Sequence, residues 1–218
     1  MPDAHDSGVV HLGLTSRISL RSSGLLAFDR GQMTREELRE WLLTGEGVAF
    51  LRKTIVEHYS WFIHETSWRN VDDIRKNGLQ PKNPDPYRSV PEKVMTTFGD
   101  QVVCLNPAGS LPAGSSKPGK LFRVGIRAVD LPYGLSLDWS FPENWELRNI
   151  TDAQIESFGK DGAILYAVDG TGSIVSYLPI EASLLRVCTV GKYGKFPSTW
   201  PMLADARDDQ IFTREVGI

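Results

Sequence analysis

Long hydrophobic runs are missing from this sequence. No stretch approaches the ~18 consecutive apolar residues of a membrane-spanning helix, so neither a transmembrane segment nor a membrane partner is expected. The opening MPDAHDSG is acidic and polar where a secretory signal would be basic and then apolar. On that ground the expected location is cytoplasmic, or the cytoplasm of a target cell reached without a standard signal. Cysteine is scarce: Cys104 and Cys188 form no C-x-x-C pair, and each sits in an apolar run, VVCL and LLRVCTV. That placement suits buried reduced thiols and excludes a disulfide scaffold. The four histidines, His5, His11, His58 and His64, make no H-E-x-x-H pattern, so no metal is expected. Positive charge is not in excess. The net charge of −3 gives no support to a dedicated duplex-DNA binder, which is usually basic. The Gly-rich runs lack the G-x-G-x-x-G order, and no G-x-S-x-G elbow occurs.

What is present is enough for a packed core. The 218 residues favour one domain with an appendage over two equal halves. Hydrophobic residues make up 41%, with 9 Phe and 6 Trp, which excludes global disorder. Charge is uneven along the chain. Residues 61–130 carry ten Lys/Arg against seven Asp/Glu, and residues 131–218 carry seven against twelve. The mildly basic middle suits either a phosphate-bearing ligand or an ordinary solvated surface.

Periodicity supplies the elements. Residues 1–25, rich in Ser, Gly and Asp, are expected to be a loose arm, with one short strand over 8–14. Thr34 with Glu37 forms a capping box ahead of Leu38, Trp41 and Leu42, predicting a helix over 34–43. Gly45 and Gly47 are expected to break it, with a second helix over 48–59. SWFIHET predicts a buried strand. SWRNVDDIRKNGL predicts a helix stopped at Gly78. Residues 80–98 and 107–119 predict loops, and QVVCLN and KLFRVGIRAVDL predict strands. Asp152–Phe158 predicts a short helix. GAILYAVD and SIVSYLPI predict two strands joined by a turn at Gly170–Gly172, and LLRVCTV a last strand. Helices first and then mostly strands indicate an α+β fold with a mixed or antiparallel sheet in two layers.

The segment from His64 to Pro81 carries the most information: H-E-T-S-W-R-N-V-D-D-I-R-K-N-G-L-Q-P. His64 ends a strand, and a helix follows with Asn70, Ile74 and a terminal Gly78-Leu79. This resembles the first signature of the ADP-ribosyltransferase superfamily, in both its poly(ADP-ribose) polymerase and its bacterial DNA-targeting toxin branches. There a strand ends in His-x-Ser/Thr, and the helix after it carries Asn, Ile and Gly-Leu at this spacing. Gln101–Ser110, Q-V-V-C-L-N-P-A-G-S, is similar to a toxin-branch strand that ends in Asn-Pro near a Ser. The likeness spans about residues 60–190.

The resemblance implies an α+β domain at 60–195 with a split β-sheet, an N-terminal arm and helical extension at 1–59, and a C-terminal tail at 196–218. It implies NAD as substrate and mono-ADP-ribosyl transfer to a protein or nucleic-acid acceptor. It places His64, Thr66 and Asn70 at the NAD ribose, with Arg88 or Arg123 reaching the pyrophosphate. Two family features are displaced. The strand that should carry a stacking tyrosine has Val103 and Cys104, leaving Tyr87 in the preceding loop as the candidate. The catalytic glutamate should precede Ile174–Leu178, yet Gly172 and Ser173 stand there, leaving Asp169 or Glu181 to supply the carboxylate. The same displacements also fit a module that binds nucleotide, ADP-ribose or a partner protein without turnover. Two further arrangements stay open on the residues alone. A Cys104–His64 dyad suits nucleophilic catalysis, though Cys104 lies in a strand pattern that looks buried. Trp139, Trp145, Trp200 and Phe141 suit either base stacking or core packing.

Overall fold

Structure begins where the sequence supplies helix caps. The computed structural model describes residues 33–82, 90–108, 121–140, 147, 150–171, 173–188 and 201–206. The arm and its expected strand lie outside these, as does most of the loop at 107–119. Helix α1 (Arg35–Leu42) opens on the expected capping box. The Glu37 amide donates to Thr34 Oγ1 at 3.2 Å, and the Thr34 amide donates to Glu37 Oε2 at 2.7 Å. Helix α2 (Gly45–His58) starts earlier than expected. Thr44 Oγ1 accepts from the Gly47 amide at 3.1 Å, so the two glycines form the first turn instead of a break.

Strand β1 (Trp61–Ser67) runs through a 3-10 turn (Trp68–Asn70) into helix α3 (Val71–Asn77), with Val71 and Ile74 buried as the spacing predicts. Part of the expected loop at 80–98 is instead helix α4 (Glu92–Phe98). It follows Pro91 and is anchored by fully buried Val94. Strands β2 (Val103–Pro107) and β3 (Leu121–Arg127) fall where expected, and a short strand β4 (Leu135–Leu137) was not foreseen.

The largest correction concerns residues 162–169. GAILYAVD is not a strand but the second half of helix α5 (Asp152–Thr171), which kinks at Gly159, where φ is 70°. Ala163, Ile164, Ala167 and Val168 are buried at helical spacing. No hairpin therefore joins residues 162–169 to the strand at Ile174. Strand β5 (Ile174–Ser176) pairs instead with β2 and β4, and β6 (Arg186–Val187) pairs with β3.

The result is an α+β fold with an open six-stranded sheet in the order β4-β5-β2-β1-β3-β6, antiparallel at every pairing. Among the described residues no parallel pairing occurs, so the antiparallel alternative holds there. Residues Gln32–Ile218 form one compact unit. Leu38 and Leu42 of α1, and Leu51 and Ile55 of α2, share one core with Phe62, Leu105, Val124 and Ile126 of the sheet. Thr54 on α2 donates to Asp161 on α5 at 2.7 Å, tying the helices together. Leu203, from the expected tail, is fully buried, and its amide bonds to Leu185 O at 2.9 Å. No described helix is long and apolar enough to cross a membrane.

Candidate functional site

The site forms where the sheet comes apart. Strand β1 pairs with β3 along seven residues, from Trp61↔Arg127 to Ser67↔Leu121. With β2 it shares only Phe62↔Pro107 and Ile63↔Asn106. Past that point the β2-facing edge of β1 pairs with no strand among the described residues, and His64 is the first residue there. Side chains alternate along a strand, so His64 and Thr66 continue the face of Phe62. Phe62 is fully buried and packs edge-on against Tyr59 at 5.5 Å, which holds that end of β1 in place.

The imidazole replaces the missing ladder bond. His64 Nδ1 lies 2.9 Å from the carbonyl oxygen of Cys104 on β2. A carbonyl only accepts, so Nδ1 carries the proton and Nε2 keeps a free lone pair. Burial holds the ring below the usual histidine pKa, against opposing contributions from the Cys104 carbonyl and Glu65. The ring is therefore neutral at pH 7.

A cleft of about 340 Å³ opens onto it. One wall is the end of β1, with His64, Glu65 and Thr66. The facing wall is β2, with Cys104 and Asn106. Asn70, Asp73 and Gly78 of the α3 region close the side, and Gln80 and Lys82 lie on the segment that leads away. Asn70 Nδ2 donates to Thr66 Oγ1 at 2.9 Å, leaving the threonine proton available. Glu65 accepts from Arg123 Nε at 2.8 Å across the β1–β3 ladder. Asp73 accepts from Asn77 at 2.7 Å and pairs with Lys82 Nζ at 3.4 Å; both contacts hold its carboxyl below the usual range, Asn77 more strongly. Gly78 sits at φ 73°, and a Cβ there would lie 2.1 Å from the Ile180 oxygen. Leu79 and Ile180 exchange two backbone bonds of 2.9 Å, so the exit of α3 is fixed against the chain after β5.

Of the sequence-predicted site residues, His64, Thr66 and Asn70 come together in this cleft. Arg123 does not line it and is committed to Glu65. Asp169 lies in the last turn of α5, where it accepts from the Tyr59 hydroxyl at 2.7 Å. Burial, and then this carboxylate, push the Tyr59 phenol pKa upward. Glu181 is exposed beside Ser183. Neither carboxylate is among the cleft-lining residues, because the hairpin expected to carry them there is a helix followed by a strand. Ser173, just before β5, is buried and donates to Asn106 Oδ1 at 3.1 Å, which brings the β5 end to the cleft through a neutral pair. Tyr87 and Arg88 lie outside the described residues.

Sequence reasoning missed Glu65, Asp73, Lys82 and Asn106 as lining residues. Asp73 had a signal: it follows Asn70 by three residues, which puts both on one face as the chain enters α3. Cys104, expected to be buried, is half-buried and lines the cleft, whereas Cys188 is buried, and burial pushes its thiol up to about 12. Trp139 is a core residue whose indole N–H meets Ser136; Phe141, Trp145 and Trp200 lie outside the described residues. No cluster of three or more metal-ligating side chains occurs among the described residues. No family model, no curated protein and no solved structure matches the chain.

Proposed function

We propose that this chain is an ADP-ribosyltransferase-like protein that takes the nicotinamide–ribose end of NAD in the His64 cleft and transfers ADP-ribose to a macromolecular acceptor. The observation that carries this reading is the neutral imidazole at the split between β1 and β2. Its Nδ1 proton is bound to the sheet, and Nε2 is left as an acceptor on a residue that lines the cleft. A ribose hydroxyl donates to Nε2. The Thr66 hydroxyl, fixed by Asn70, donates to a second sugar oxygen. The open edge of β1 past Ile63 offers backbone groups to a carboxamide. The cleft volume falls within the range of small-molecule sites.

In the transfer, the bond from ribose C1′ to the nicotinamide nitrogen breaks, and nicotinamide leaves with the electron pair. The acceptor nucleophile bonds to C1′ and releases a proton. Positive charge builds on the sugar between these events, and one preorganised charge of opposite sign is worth about 10²–10³ in rate. Neither lining carboxylate is placed beside the His64 ring: Glu65 alternates to the opposite face of β1 and pairs with Arg123, and Asp73 pairs with Lys82, so the transferase reading rests on the orientation that His64 and Thr66 give the sugar. A second reading, nucleotide binding without turnover, is favoured by the Ser173–Asn106 pair, which stands where the resemblance would put the carboxylate.

Calorimetry with NAD, together with an assay of nicotinamide release, separates the two. The transferase reading expects His64→Ala to weaken NAD binding by about tenfold or more. It also expects the native chain to release nicotinamide from NAD when an acceptor is present, and His64→Ala to lose that release. Binding without release under any protein or nucleic-acid acceptor selects the second reading. Absence of NAD binding rejects both.

A further inference from the structure

The charges around the cleft are unequal in their availability. Glu65 and Asp73 are carboxylates, and Arg123, opposite Glu65 on β3, is turned to Glu65. Lys82 is the cation among the described lining residues. Its backbone is pinned to the start of β2 by bonds of 3.2 and 3.1 Å with Val102. Its side chain is 69% exposed and reaches Asp73 Oδ2 at 3.4 Å. Asp73 is in turn held by Asn77.

We infer that Lys82 is the phosphate contact of this cleft and that Asp73 holds it in place and competes for it; the inference rests on the NAD reading above. An exposed Lys–Asp pair is weak and easily exchanged. An ammonium has three donors, so it can turn one toward a phosphate oxygen without leaving its backbone anchor. Without Lys82 the charged side chains left among the described lining residues are the carboxylates Glu65 and Asp73. A sugar end that lacks phosphate gains nothing from Lys82.

The test is calorimetry on the full chain with NAD, ADP-ribose and nicotinamide riboside. Both residues are on the surface, so the variants keep the fold, which circular dichroism checks. Lys82→Gln is expected to weaken NAD and ADP-ribose by about tenfold, leaving the riboside unchanged within about twofold. Asp73→Asn is expected to tighten NAD by about two- to fivefold, an effect that shrinks as salt is raised. Should Lys82→Gln leave NAD affinity unaltered, or Asp73→Asn weaken it, the role of Lys82 falls while the NAD reading stands. Should none of the three probes bind the unaltered chain, both fall.

Discussion

His64 meets two demands with one ring: Nδ1 ties β1 to β2, and Nε2 is kept for a ligand. Only the second needs the neutral form, since an imidazolium also donates from Nδ1, and burial favours the neutral ring. The pKa in the folded state lies below the unfolded value of about 6.5, so the unfolded chain binds the proton more readily. The contribution to stability is therefore fully present above about pH 6.5 and is lost as the pH falls below that value toward the folded pKa. Thermal unfolding should record this as a steeper fall in Tm between pH 7 and pH 5 for the native chain than for His64→Gln, whose amide can still donate to Cys104 O. Equal slopes would remove the buried neutral imidazole from the account. Gly78 is the other residue with an unusual demand. At φ 73° and ψ −168° it occupies backbone space that is nearly glycine-only, and a Cβ would press on Ile180 O. Gly78→Ala should destabilise by about 1–3 kcal/mol from backbone strain alone, read from urea midpoints, and should loosen the α3 wall of the cleft.

Single elements stand on local chemistry that can be removed one group at a time. Thr44 caps α2 through the Gly47 amide, and its hydroxyl also donates to Trp41 O at 2.7 Å, closing the α1–α2 turn. Thr44→Ala should cost about 1 kcal/mol, while Thr44→Ser should recover most of it; chemical denaturation distinguishes the two. This cap explains part of what the sequence disclosed. The Thr34–Glu37 box was visible because its partners are three residues apart, and β1 with the helix after it was visible from aromatic content and the Gly stop. Thr44 was overlooked because the glycines beside it suggested a break. GAILYAVD was ambiguous for a physical reason: a short apolar run suits a buried strand or a buried helix face equally, and only packing on α2, here through Thr54 and Asp161, decides. The cleft was legible as far as it is local. His64, Thr66 and Asn70 are close in sequence and in space. Asn106 lines the cleft from β2 and is joined there by Ser173 ahead of β5, a placement set by the β2–β5 pairing, which no local pattern encodes.

At the scale of the molecule, the question is where the folding unit starts. A boundary near residue 60 follows from the resemblance, which begins at β1. The core divides differently: Leu38, Leu42, Leu51 and Ile55, all before that boundary, are at most 1% exposed and pack in the same cluster as Phe62 and Leu105. Each such side chain contributes roughly 1.5–3 kcal/mol on burial. Four of them contribute about as much as the whole net stability of an ordinary domain, roughly 5–15 kcal/mol. Removing α1 and α2 would also strip Tyr59 from Phe62, which lies two residues before His64 on the same face of β1. A chain of residues 60–218 should therefore show no cooperative thermal transition and should bind a hydrophobic dye. A chain of residues 32–218 should unfold in one step. Leu38→Ala within the longer chain should cost about 2–5 kcal/mol and still unfold cooperatively. A sharp, native-like transition from residues 60–218 would mean that the two helices are an accessory after all, and that the cleft is held by the sheet and α3 alone.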